Sequence, residues 1–236
     1  DQYCESVCTV TINPTLGRIQ SLLGFIKRLP LSVCFYQNPQ VENYVRGHLQ
    51  RGVERVVVFS SAMARFVLDE PQPYRLVADI VDVDSDKWQQ YASRRSGIMK
   101  FVYQREAKRL LDWERKVANK AAATVLVSDN ECKLFKKLIP EMADRYHPIP
   151  NGVDSSYFSP DPSLENPYSI EAPVLVFTGA MDYWANVDAV EWFVQEVMPL
   201  IWEDCPEVQF CIVGSNPTSE VKALGQLDGV LVTGRV

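Results

Sequence analysis

The stretch "PVLVFTGAMDYWANVDAVEWFVQEVMPLIWEDCPEVQFCIVG", Pro173 to Gly214, decides the fold. It opens with a short apolar, β-branched run that ends in Gly179, as a buried parallel strand should. Val187, Val190, Val194, Val197 and Ile201 then recur at helical spacing, which predicts one continuous apolar helix face with Asn186 as N-cap and Pro199 near its end. "VQFCIVG" is a second strand closed by Gly214. Val221 and Leu224 mark a short helix capped by Thr218 or Ser219, and "GVLVTGRV" is a third strand. Strand, helix, strand, helix, strand with short loops predicts a right-handed βαβαβ unit, half of a doubly wound sheet.

The first half repeats this grammar. "ERVVVFSS", "YRLVADIVDVD" and "AAATVLVS" read as buried strands of a parallel sheet. Helices are expected at about 16–29, 41–50, 99–121 and 130–139. Between the halves, "PIPNGVDSSYFSP" (Pro148 to Pro160) begins a segment rich in Pro, Asn, Gly, Asp and Ser, with no periodic apolar face. The boundary is placed near 159–172, giving domains 1–160 and 161–236, both α/β. Open parallel sheets take ligands beyond the C-terminal ends of their strands, so two such domains facing each other would form a cleft.

Composition narrows the function. The chain has 236 residues, 47% of them hydrophobic, which suffices for one large or two small cores. Its net charge of −6 argues against general nucleic-acid binding. The six cysteines form no C-x-x-C pair or zinc spacing and are expected as buried reduced thiols, and two histidines are too few for a His-based metal site. Charge is uneven: residues 87–120 hold ten Lys/Arg against Glu106, Asp112 and Glu114. Such a segment is either a solvated helix face or a patch for anionic lipid or a phosphate-bearing substrate.

The segments "PNGVDSSYFSP", "LVFTGAMDYWANVDAVEWFVQEVMPLI", "FCIVGSNPT" and "GVLVTGRV" together resemble the glycosyltransferase family 4 group of GT-B enzymes. "FSSAMARFVL", "DIVDVDSDKWQQYA" and "GAMDYWANVDAV" resemble, within it, the sugar transferases associated with PEP-CTERM/exosortase exopolysaccharide loci. The resemblance implies two Rossmann-like domains facing a cleft, both incomplete. A strand and Gly-rich loop would precede Asp1 and paired donor-site glutamates would follow Val236, so this fragment is not expected to catalyse alone. It also implies transfer of a sugar, with retained configuration, from a UDP- or GDP-linked donor to an acceptor hydroxyl. The acceptor would be a lipid-linked glycan at the inner, cytoplasmic face of the plasma membrane. No cofactor is implied.

On this reading Gly179, Asn186, Gly214, Arg235 and Val236 bind the donor. Gly179 lets a diphosphate approach backbone, and the following helix N-terminus offers N–H groups and positive dipole. Many family members carry an Arg and a Lys here, where this chain has Ala180 and Ala185 or Asn186. Asp82 and Asp84 are the catalytic candidates, beside Asp79 and Asp86; the cluster suits Mg²⁺, but the resemblance implies that no metal is used. Lys87 and Trp88 are placed on the acceptor side. Asn151, Gly152 and Asp154 lie on the interdomain crossover, with Tyr157 and Phe158 packing the start of the second domain. For each site the alternative is structural: loop turns, helix capping and a buried Trp. Glu114 and Ser128 are read as packing and capping residues. A sugar-nucleotide epimerase and a non-catalytic two-lobed binding module remain open as other functions.

Overall fold

The computed structural model describes residues 3–71, 73–168 and 172–236. It divides into two units, Asp1–Asp154 and Ser155–Val236, each with its own core. Residues 169–171, within the segment where the sequence placed the boundary, lie outside the described residues.

The first unit begins with four helices, α1 (Pro14–Ser21), α2 (Leu23–Lys27), α3 (Leu31–Phe35) and α4 (Pro39–Gln50). Two Asn-Pro pairs start α1 and α4: the Asn13 and Asn38 side chains accept backbone N–H bonds, and Pro14 and Pro39 occupy the first helical position. The helix expected over 16–29 is instead two, broken at Leu22 and ended by Arg28 at φ 56°. Next come β1 (Arg55–Phe59), a 3₁₀ turn at Ser61–Phe66, β2 (Arg75–Val81), α5 (Asp84–Ser93) and α6 (Gly97–Lys120). The unit closes with β3 (Ala123–Leu126), α7 (Asp129–Leu138), a second 3₁₀ turn and β4 (Tyr146–Pro148). The sheet is all-parallel in the order β1-β2-β3-β4.

One face of this sheet is filled. Val58, Leu76, Ala78, Ile80 and Leu126 pack with Trp113, Val117 and Ala118 of α6 and Phe135 of α7. The opposite face is less covered than the sequence predicts. Val57 and Phe59 of β1 are exposed, so the continuous apolar run "VVVF" does not mean burial on both sides. Two charged residues are sunk in α6. Glu106 accepts the N–H groups of Leu31 and Ser32 and the Ser32 hydroxyl, closing the start of α3 from 74 residues away. Glu114 does the same for α5.

The second unit holds β5 (Val174–Thr178), α8 (Trp184–Trp192), a π-turn at Phe193–Val197, α9 (Met198–Asp204), β6 (Gln209–Val213), α10 (Ser219–Leu224) and β7 (Val230–Gly234). Its sheet is parallel in the order β5-β6-β7. The mixed α/β, parallel-sheet class expected from the sequence is the one observed. The continuous helix face is not. Pro199 has no N–H to donate back into the helix, and the turn before it widens so that Met198 N–H bonds Phe193 O. That extra residue moves the buried stripe from Val194 to Met198 and leaves Val197 only partly covered. Thr218 caps α10 through Oγ1, accepting from Val221 N–H at 3.4 Å.

Of the six cysteines, all free, Cys34, Cys132 and Cys211 are buried, whereas Cys4, Cys8 and Cys205 are exposed, contrary to the expectation of general burial. No helix among the described residues is long and apolar enough to cross a membrane.

Candidate functional site

In each unit the loops after the strands gather the sequence-derived candidates at the C-terminal edge of the sheet, where parallel topology leaves room for a ligand. The two edges are built differently.

In the second unit the edge is glycine-lined. Gly179 N–H donates to Val213 O at 3.0 Å, and Gly214 N–H donates to Gly234 O at 2.9 Å, which links the three strand ends in line. Gly214 has φ 157°, and a Cβ built there would lie 1.6 Å from Gly179 O. No side chain fits at that crossing. A Cβ on Gly179 would meet the Asn186 amide nitrogen at 2.6 Å. The loop after β5 is stitched to the loop after β6 by Met181 N–H to Ser215 O, Thr218 N–H to Met181 O and Asn216 Nδ2 to Asp182 Oδ2. These bonds aim the start of α8 over the strand ends.

Asn186 is not the N-cap. That position belongs to Tyr183, whose side chain makes no capping bond, and Asn186 sits in the first turn of α8. Its amide donates instead to Ala180 O at 2.9 Å, holding the loop closed over Gly179. The turn thus presents main-chain N–H groups with no side-chain acceptor at the cap, the arrangement that favours an anion. Ala180 and Ala185 bring no charge to this edge. Arg235 and Val236 follow β7 and are exposed.

In the first unit the edge is acidic and strained. Ser60 follows β1 at φ 73°, and Val81 ends β2 at φ 63°; both are unusual for residues with a Cβ, and for a β-branched residue especially so. Two networks hold them there. Ser60 N–H donates to Asp79 O at 2.7 Å, and Val127 N–H donates to Val81 O at 2.8 Å across a register shift between β2 and β3. Strain kept in place by its surroundings is a common mark of functional edges.

The strained β2 end delivers Asp82, Val83 and Asp84 directly into α5. Val83 N–H donates to Glu131 of α7, and Ser85 donates its N–H and hydroxyl to the Glu114 carboxylate at 3.0 and 2.5 Å. Burial pushes the Glu114 carboxyl up to about 8, only partly offset by those Ser85 bonds. Asp84 is the first residue of α5, so neither Asp84, Ser85 nor Asp86 is the cap; Val83 is. Burial also raises the Asp84 carboxyl, against the pull of Lys87 and a Ser61 hydroxyl bond and with the push of Asp82. Ser61 is fixed in turn by Trp113, whose Nε1–H donates to Ser61 O at 2.8 Å.

Asp82, Asp84 and Lys87 are therefore brought into one electrostatic neighbourhood. Asp86 is turned toward Gln90, which donates to it at 2.7 Å. Trp88 is half-buried and packs edge-to-face on Tyr91 and Tyr103, with centroids 5.7 and 5.1 Å away. Asn151, Gly152 and Asp154 lie on the exposed segment after β4. Tyr157 and Phe158 do not pack as expected: both are exposed and stack edge-on against each other at 4.8 Å. Sequence reasoning missed Ser60, Ser61 and Val81, and no residue-type signal marks a Ser or Val for positive φ. Glu114 and Ser128 behave as read, although Glu114 anchors a different helix from its own.

No curated protein matches the chain. Among solved structures, the crystal structure of accessory secretory protein 1, 2 and 3 in Streptococcus pneumoniae is similar to the chain at 10% identity and a TM-score of 0.39. That match covers 82% of this chain, which spans 35% of the other's length. Within the glycine-lined unit, residues 172–236 match the family described as glycosyl transferases group 1.

Proposed function

We propose that the chain is part of a retaining glycosyltransferase of GT-B type. It would move a sugar from a nucleotide-diphospho-sugar to an acceptor hydroxyl in exopolysaccharide or cell-surface glycan synthesis. The observation that carries this reading is the Gly179–Gly214 crossing under the uncapped start of α8, inside the segment that matches the glycosyl transferase family. A diphosphate needs close backbone approach, which the glycine crossing allows, and is favoured at a helix start whose cap residue makes no side-chain capping bond. Gly179, Asn186, Gly214, Arg235 and Val236 are the donor residues on this proposal. Asn186 acts by fixing the loop, since its amide is already engaged.

In the first unit Asp82 and Asp84 are proposed to accept hydrogen bonds from sugar hydroxyls. The buried Glu114–Ser85 pair would hold their loop rigid. Lys87 and the exposed part of Trp88 would serve the acceptor, and Asn151, Gly152 and Asp154 would form the crossover. No metal is part of the mechanism; departing diphosphate charge would be met by amides and helix dipole. The donor is UDP- or GDP-linked. The acceptor on this proposal is a lipid-linked glycan at the cytoplasmic face of the plasma membrane, and the enzyme would be of the PEP-CTERM/exosortase-associated kind. Calorimetric titration with UDP- and GDP-sugars tests the proposal. Binding of one, lost in Gly214→Val, supports it, and binding of neither refutes it.

A further inference from the structure

Four cations of the basic segment 87–120 have no part in the sites above: Arg109, Arg115, Lys116 and Lys120. They line two cavities of about 340 and 250 Å³ that share Leu29, Trp113 and Lys116 as walls. Arg28 joins the lining of the larger and Arg65 that of the smaller, and the lining acids are Asp112 and Asp69. Cations thus outnumber acids there, in a chain of net charge −6. Several of these charges are already engaged. Arg109 and Arg115 share Asp112 at 3.5 and 3.8 Å, and Arg115 also reaches Glu141 at 3.5 Å. Arg65 pairs with Glu42, and Lys120 donates to the carbonyls of Val67, Leu68 and Glu70. Three sets of donors are left over. The exposed side chains of Arg28 and Lys116 meet no acceptor among the described residues, and Arg65 Nε is buried without one. Arg28 ends α2 at φ 56°, where glycine is favoured, so its side chain is held at the cavity against backbone preference.

We propose that the two cavities form one site for a soluble, phosphate-bearing small molecule that acts as an effector. Its phosphate groups would take the unused donors of Arg28, Lys116 and Arg65, and its carbon skeleton would lie against Leu29 and Trp113. Guanidinium forks match phosphate oxygens in pairs, and Lys116, common to both cavities, lets one ligand span them. A neutral ligand would leave a buried donor unsatisfied. The position separates this site from the reaction edge. Leu68 and Asp69 precede β2 and Lys120 precedes β3, so the smaller cavity lies toward the N-terminal edge of the parallel sheet, opposite Asp82 and Asp84. Trp113 links the two edges: its indole donates to Ser61 O at 2.8 Å, and the Ser61 hydroxyl donates to Asp84 at 3.4 Å. A ligand against Trp113 therefore bears on the Ser61 turn and on Asp84. The inference does not depend on donor binding.

The test is calorimetric titration and hydrogen exchange of the 236-residue chain with inorganic pyrophosphate, without nucleotide sugar. Binding that weakens with salt is expected. Exchange should slow at residues 28–33 and 109–120 and change at the Ser61 turn. The double substitution Arg28→Gln, Lys116→Gln should weaken binding at this site at least about tenfold, the loss of charged hydrogen bonds. Both side chains are exposed, so thermal melting should stay unchanged and keep the readout specific. Any slowing that pyrophosphate causes at the glycine-lined edge, from Gly179 to Val187, should persist in the double variant. No binding, slowing confined to the glycine-lined edge, or unchanged affinity in the double variant overturns the proposal. Slowing at the cavities with no change at the Ser61 turn overturns the effector role. Failure of UDP- and GDP-sugars to bind, with the cavity response intact, would remove the donor assignment and leave this site standing.

Discussion

Adding one methyl group at Gly214 should do more damage than at any other glycine described. The new Cβ of Gly214→Ala would sit 1.6 Å from Gly179 O, whereas 3.0 Å is about the least real Cβ atoms show. The loops must therefore part by roughly 1.4 Å, the difference of those two distances. Overpacking against backbone costs about 1–3 kcal/mol. Forcing a residue with Cβ to φ 157° costs about 1–3 kcal/mol more. A total of about 2–6 kcal/mol falls on a unit whose sheet has three strands. Gly152→Ala is the control, because no atom lies within 4 Å of its Cβ, and it should change stability by less than about 0.5 kcal/mol. The assay is urea unfolding of both variants by circular dichroism, with hydrogen exchange on β5–β7 to localise the loss. A Gly214→Ala protein within about 1 kcal/mol of the parent would refute the close-approach reasoning.

Other substitutions test the first unit. Ser60→Gly should stabilise by about 1 kcal/mol by relieving φ 73°; a destabilised variant in thermal melts would contradict the strain. Glu114 has a folded-state carboxyl pushed up to about 8 from an ordinary 4.5, so folding favours its protonated form. Its contribution is fully present below about 4.5 and is lost as pH rises through 8. Glu114→Gln, neutral throughout, should flatten the fall in melting temperature across that window, and an unchanged slope would sink the assignment. Trp113→Phe removes the donor to Ser61 O and should cost about 1–3 kcal/mol in chemical denaturation; no cost would mean that the Ser61 turn is held otherwise. Asn38→Ala strips the N-cap of α4 and should cost about 1 kcal/mol.

The second unit was legible because its strands are short β-branched runs closed by glycine and its helix is marked by evenly spaced valines. What escaped was local. The shift from Val197 to Met198 follows from Pro199 lacking an N–H, which periodicity cannot register. The exposed face of β1 has the same residue types as a buried one, so "VVVF" could not distinguish them. In the acidic stretch, residue types located the strand end and the carboxylates. They could not show that Val81 takes positive φ, or that Glu114, 29 residues beyond Ser85, fixes the following helix. Long-range capping by buried Glu106 and Glu114 leaves no local signature, because both glutamates sit within an otherwise ordinary amphipathic helix.

The central claim is that a nucleotide diphosphate lies on the glycine-lined edge of the second unit. Hydrogen exchange with millimolar UDP- or GDP-sugar tests it most directly. The account predicts new protection confined to the amides from Gly179 to Val187 and around Gly214, absent in Gly214→Val. Protection elsewhere only, or none with either nucleotide, would contradict it.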